Sequence, residues 1–111
     1  MEIYCSTQFE GFHSWDGAPD EVAFLRDRHR HTFHVTLWME VDHDDRDVEF
    51  ILLKRELEAY IADELQDENY SCEQYARAIR DEFEARYDNR CRVEVSEDGE
   101  NGAVTARYTD R

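Results

Sequence analysis

His29-Arg30-His31-Thr32-Phe33-His34-Val35-Thr36-Leu37-Trp38-Met39-Glu40-Val41 reads with a period of two. One face carries His29, His31, Phe33, Val35, Leu37, Met39 and Val41, and the other carries Arg30, Thr32, His34, Thr36, Trp38 and Glu40. Such alternation predicts a β-strand whose apolar row belongs in a core, with two imidazoles where that core opens. Successive same-face residues lie roughly 6.6 Å apart along a strand, so two such rings can lean onto one metal ion. Zinc needs at least one further ligand from elsewhere in the chain, and His13 is the obvious candidate.

Working outward, residues 1–13 also alternate, with Ile3, Cys5, Thr7, Phe9, Gly11 and His13 on one face. This predicts a first strand that delivers His13 near its end. Residues 14–25, with Asp16-Gly17 and Pro19, form an irregular connection, so the two strands make an antiparallel hairpin. Beyond the organising strand, the acidic loop 42–47 leads into a helix from Val48 to about Asp67, for which Asp47 can cap. Its apolar positions Phe50, Leu53, Leu57, Tyr60, Ile61 and Leu65 recur every three or four residues, as in an amphipathic helix lying on a sheet. Ser71 and Gln74 form a capping-box pattern ahead of a second helix with Tyr75, Ala76, Ile79, Phe83 and Tyr87 on one stripe. Cys91, Val93, Val95 and Glu97 share one face of a third strand, residues 97–102 turn the chain, and Val104, Ala106 and Tyr108 line the last strand. The predicted order is β-β-α-α-β-β, an α+β class.

The chain's 111 residues suffice for one domain, 1–111, with a modest core. It has no apolar run of about 18 residues, and its first residues do not read as a secretion signal. Cys5, Cys72 and Cys91 are widely spaced and odd in number, which argues against a disulfide framework or a thiolate zinc knuckle and suits a reducing cytoplasm. Thirteen basic against 28 acidic residues give a net charge of −15, a surface that repels nucleic acid and anionic membranes. Lys54 is the sole lysine beside twelve arginines, a balance that resembles proteins of salt-accumulating halophiles.

Any single histidine is ordinarily a surface or satisfied core residue. Here two share a strand face at i and i+2 while a third ends the neighbouring strand. Three neutral imidazoles with an open position form a common catalytic zinc arrangement. His34 points to the opposite face and His43 sits in the acidic loop, so both read as solvated.

Phe9-x-x-x-His13, His29-x-His31-x-Phe33-x-Val35 and Val48-Glu49-Phe50-x-x-Leu53-Lys54 resemble, in order, the F-x-x-x-H, H-G-H-x-Y-x-V and V-D-F-x-x-L-K of one family. That family is the 6-pyruvoyl-tetrahydropterin synthase and 6-carboxytetrahydropterin synthase family. Ser71-Cys72-Glu73-Gln74-Tyr75-Ala76 is similar to its P-T-x-E-N-L-A, and Val93-x-Val95-x-Glu97 to its V-x-V-x-E-T. The resemblance implies a tunnelling fold: a four-stranded antiparallel sheet with two helices on one face, sheets joining edge to edge into trimeric barrels that stack as hexamers. It implies His13, His29 and His31 as zinc ligands and Glu97 as the carboxylate gripping a pterin or related purine-like ring. Glu73, with Glu21 and Asp27, is a further acidic candidate near the expected mouth.

The chain departs from the family pattern at several positions. The family's cysteine, four residues before its paired histidines, is Leu25 here. No Asp-His pair occurs between the helices, Arg30 replaces the glycine of H-G-H, and Glu49 replaces the aspartate of V-D-F. Arg26, Arg28 and Arg30 read either as a clamp for a substrate phosphate or as surface ion pairs. Three functions stay open: a zinc-dependent lyase on a dihydroneopterin-type substrate, a zinc- and pterin-binding protein without turnover, and an oligomer in which zinc only staples strands.

Overall fold

The computed structural model describes residues 1–106. Strand β1 (Glu2–His13) runs against β2 (His29–Glu40), with every pair from Glu2–Glu40 to His13–His29 in antiparallel register. Strand β3 (Cys91–Glu97) pairs with the other side of β2, and β4 (Asn101–Val104) closes the four-stranded order β1-β2-β3-β4. Tyr108, expected on the last strand, lies outside the described residues, and Ala106 falls past the end of β4.

Helix α1 (Phe50–Tyr60) continues through a π-helical turn, Ile61–Leu65, and α2 spans Cys72–Tyr87. Phe33, Val35, Leu37 and Met39 of β2 join Cys91, Val93 and Val95 of β3 in one core with Leu53, Leu57, Ile61 and Leu65 of the first helical segment. From α2 the same core receives Cys72, Tyr75, Ala76, Ile79 and Phe83. The wider π turn keeps Ile61 and Leu65 inward, because a uniform α-helix would rotate the stripe away over that length. No described helix is long and apolar enough to cross a membrane.

Three expectations change. Helix α1 starts at Phe50, with Glu49 as its cap accepting from the Ile51 amide at 2.8 Å. Asp47 instead accepts from the Asp42 amide at 2.8 Å and so closes the acidic loop on itself. Phe50 is not in the core; with Ile51 and Leu52 it forms a surface triplet, each more than half exposed (52, 54 and 54%). Finally, the connection between β1 and β2 contains a 3-10 segment, Asp20–Arg26, tied down where the Trp15 amide donates to the Leu25 carbonyl at 2.7 Å. The Ser71–Gln74 capping box forms as read, with both reciprocal hydrogen bonds present.

Gly102 sits opposite Ser96, where a Cβ would overlap the Val95 carbonyl oxygen and come within 2.6 Å of Ser96 Cα. Only glycine lets β4 approach β3 this closely.

Candidate metal centre

The hairpin assembles the site. His13 ends β1 directly opposite His29, which begins β2, while Gly11 faces His31. The missing side chain at Gly11 matters, because a Cβ there would press to 2.9 Å against the Phe33 ring. Phe33, fully buried, is the floor of the cluster: it stacks on Phe9 at 5.1 Å and meets His13 and His31 edge-on at 5.4 and 5.9 Å. Above it the three imidazoles crowd together, with ring centroids 4.5, 4.8 and 5.1 Å apart.

Each ring is held by its Nδ1. His13 Nδ1 lies 3.0 Å from the Tyr70 carbonyl, His29 Nδ1 2.7 Å from the Asp27 carbonyl, and His31 Nδ1 2.8 Å from Asp98 Oδ2. Carbonyl and carboxylate oxygens only accept, so each Nδ1 carries the proton and donates. Every neutral ring therefore turns an Nε2 lone pair towards its neighbours. The Nε2 atoms of His29 and His31 are buried without any hydrogen-bond partner, a state that burial ordinarily penalises by about 1–3 kcal/mol. One ligand atom from each of the three rings lies within 4.8 Å of the others, and modest ring rotations close such a span onto an ion about 2.0–2.1 Å from each nitrogen. Orphaned lone pairs, fixed tautomers and an all-nitrogen donor set fit zinc.

Glu97 adjoins the cluster from the end of β3. Its Oε1 lies 3.4 Å from His13 Nε2 and its Oε2 3.5 Å from His31 Nε2, the latter within ion-pair range but without a hydrogen bond. His13, His29 and Glu97 line a cleft of about 570 Å³, with Trp15, Leu25 and Glu73 on its walls. Trp15, about half exposed, offers an aromatic face at the mouth. Leu25 lines this same cleft with an aliphatic side chain. Cys72 also lines the cleft, but burial, reinforced by the charges of Glu97 and Glu73, pushes its thiol up to about 12. Burial of this kind favours the protonated thiol. Cys5 is buried in the core, its thiol pushed up to about 11 mainly by burial.

Other expected site residues separate from the cleft. Glu21 and Asp27 do not line it; Asp27 contributes its main-chain carbonyl to His29 instead. The three arginines form no common clamp: Arg26 donates to the Ala18 carbonyl and Asp20, Arg28 lies over the Phe12 ring, and Arg30 pairs with Glu10 at 2.6 Å. Their spacing at every second residue reads as a patch, yet each has a nearer partner. His43 stays in the acidic loop, accepting from the Asp45 amide and 3.5 Å from Asp47.

Sequence reasoning missed the partners of the Nδ1 atoms. Asp98 is held below the usual carboxylate range by hydrogen bonds from His31 and from the Thr32 amide. The Asp98-Gly99 pair marks a turn, but no spacing rule announces that its carboxylate reaches back to β2. The carbonyls of Tyr70 and Asp27 carry no side-chain signal at all. Comparison with models of known protein families and with curated proteins returned no match.

Proposed function

We propose that the chain is a zinc-dependent protein similar to 6-pyruvoyl-tetrahydropterin and 6-carboxytetrahydropterin synthases, acting on a dihydroneopterin-type pterin in tetrahydropterin or 7-deazaguanine synthesis. One observation carries this reading: three imidazoles, each anchored through Nδ1, bring one ligand atom apiece within 4.8 Å of one another beside a cleft lined by His13, His29 and Glu97. Zinc held there by His13, His29 and His31 would supply Lewis-acid polarisation of a substrate oxygen. Glu97 presents a carboxylate that can accept from an amino group and a neighbouring ring N–H together. Glu73 adds a second acceptor from the start of α2, and Trp15 an aromatic wall for a flat ring. Self-association into a trimer or hexamer belongs to the same proposal, supported by the two open sheet edges, β1 and β4, and the exposed Phe50-Ile51-Leu52 triplet.

A second reading, ligand and zinc binding without turnover, is favoured by Leu25, which brings no ionisable group to the cleft. Metal analysis of the zinc-loaded protein, followed by incubation with dihydroneopterin triphosphate, tests both. About one zinc per chain with loss of substrate supports an enzyme. Zinc and pterin binding with no substrate loss supports the second reading. Absence of zinc binding overturns both.

A further inference from the structure

The three ligand-type histidines are not held alike. His13 and His29 donate to neutral main-chain carbonyls, whereas His31 donates to a carboxylate, Asp98 Oδ2, at 2.8 Å. Asp98 itself is fixed on three sides. Its amide donates to the Thr32 carbonyl at 2.7 Å, its Oδ1 accepts from the Thr32 amide at 3.0 Å, and its Oδ2 accepts from His31. Its backbone is left-handed at φ 56, a conformation that aspartate and asparagine tolerate better than most residues. One oxygen therefore serves the strand and the other serves the imidazole.

We infer that Asp98 is the positioning residue of the metal centre: it fixes His31 in the tautomer whose Nε2 can bind zinc and makes that ring the strongest donor of the three. A carboxylate behind a ligating histidine orients the ring and raises its basicity, and loss of such a partner typically costs about 10–100-fold in metal affinity. The inference rests on the reading of His13, His29 and His31 as zinc ligands. Glu97, the preceding residue, lies 3.5 Å from Nε2 on the other side of the same ring without a hydrogen bond to it, so Asp98 alone of the two carboxylates is bonded to His31.

Asparagine gives a sharp test because it keeps the size and the left-handed turn. In the Asp98→Asn variant the amide oxygen stays with the Thr32 amide, so the NH2 group confronts His31 Nδ1. A donor facing that nitrogen drives the proton to Nε2 and removes the lone pair zinc needs. In Asp98→Ala a water can accept from Nδ1 instead. The expected order of zinc dissociation constants, measured by competition with a chromophoric chelator, is Asn above Ala above the unsubstituted chain. The Asn value should be raised about 10–100-fold, with a changed visible cobalt(II) absorption and an unchanged melting temperature of the metal-free protein. Zinc affinity of Asp98→Asn within about threefold of the unsubstituted chain overturns the inference. Two further results also overturn it: a loss greater in Ala than in Asn, or one matched by lower metal-free stability. If the unsubstituted chain itself binds no zinc, the metal reading and this inference fall together.

Discussion

Removing one oxygen atom, in Tyr75→Phe, tests how the fold holds the three-histidine cluster. Tyr75 is fully buried, and its ring packs on Phe33, Tyr70 and Phe9 at 5.1 to 5.4 Å. Phenylalanine keeps those contacts, so the change isolates the hydroxyl, which donates to the Glu68 carbonyl at 2.6 Å. That bond pins the segment between the helices, which also carries the Tyr70 carbonyl behind His13 and Asn69, whose side chain accepts from the Ser14 amide at 2.7 Å. Glu68 is an exposed residue, so water can replace the lost donor and the cost falls in the ordinary range of about 0.5–1.5 kcal/mol. For a domain of this size about 1 kcal/mol lowers the melting temperature by roughly 4–8 °C. The loosened segment no longer fixes the acceptor for His13, and a loss of about 1 kcal/mol of positioning corresponds to roughly fivefold weaker zinc binding. Thermal unfolding followed by circular dichroism and a chelator competition measure the two effects. A melting temperature within about a degree of the original refutes the energetic account. Reduced stability with unaltered zinc affinity refutes the link to His13.

If the proposed function holds, Leu25→Cys adds a second thiol to the cleft beside Cys72, and dihydroneopterin triphosphate turnover should rise in the variant; substantial turnover by the unsubstituted chain would show that other groups do the proton transfer. Gly102→Ala drives a methyl into the Val95 carbonyl and Ser96, so β4 must shift, with a loss of about 1–3 kcal/mol in a denaturant titration. Tyr75, Tyr87 and Cys72 are pushed up to about 12 and Cys5 to about 11, chiefly by burial in each case. The folded chain therefore keeps these protons to higher pH than the unfolded chain does. The stability they contribute is complete below the ordinary thiol value of 9.0 and is lost as pH rises towards about 12. Melting temperatures recorded from pH 7 to 11 should fall at the alkaline end; a flat profile would contradict the burial of these groups.

The histidine triad was legible because two simple periodicities meet in it. Alternation fixes the face of His29 and His31, and an antiparallel hairpin ending at His13 must bring that residue opposite the start of β2. The α2 stripe and its cap were legible for the same reason, since both are local patterns. Helix α1 was less so: Phe50, Ile51 and Leu52 are apolar enough to extend the stripe, and nothing local shows that the core begins only at Leu53. For the arginines the spacing left a clamp and surface ion pairing both open, and the structure gives ion pairs to Arg26 and Arg30, because spacing records proximity along the chain whereas Glu10, Phe12 and Ala18 arrive from other segments. Two of the acceptors behind the histidines are far away along the chain, and the local one, at Asp27, is a main-chain carbonyl that any residue type could supply.

Those three acceptors come from three places: the segment between the helices, Asp27 two residues ahead of β2, and the turn after β3. A cation seated among the rings would consequently be locked in by the closure of the whole chain. Turning any of the rings away from it would break one of these hydrogen bonds. Release should then be slow, with the steep warming response of a partial unfolding event rather than the shallow one of simple ligand exchange.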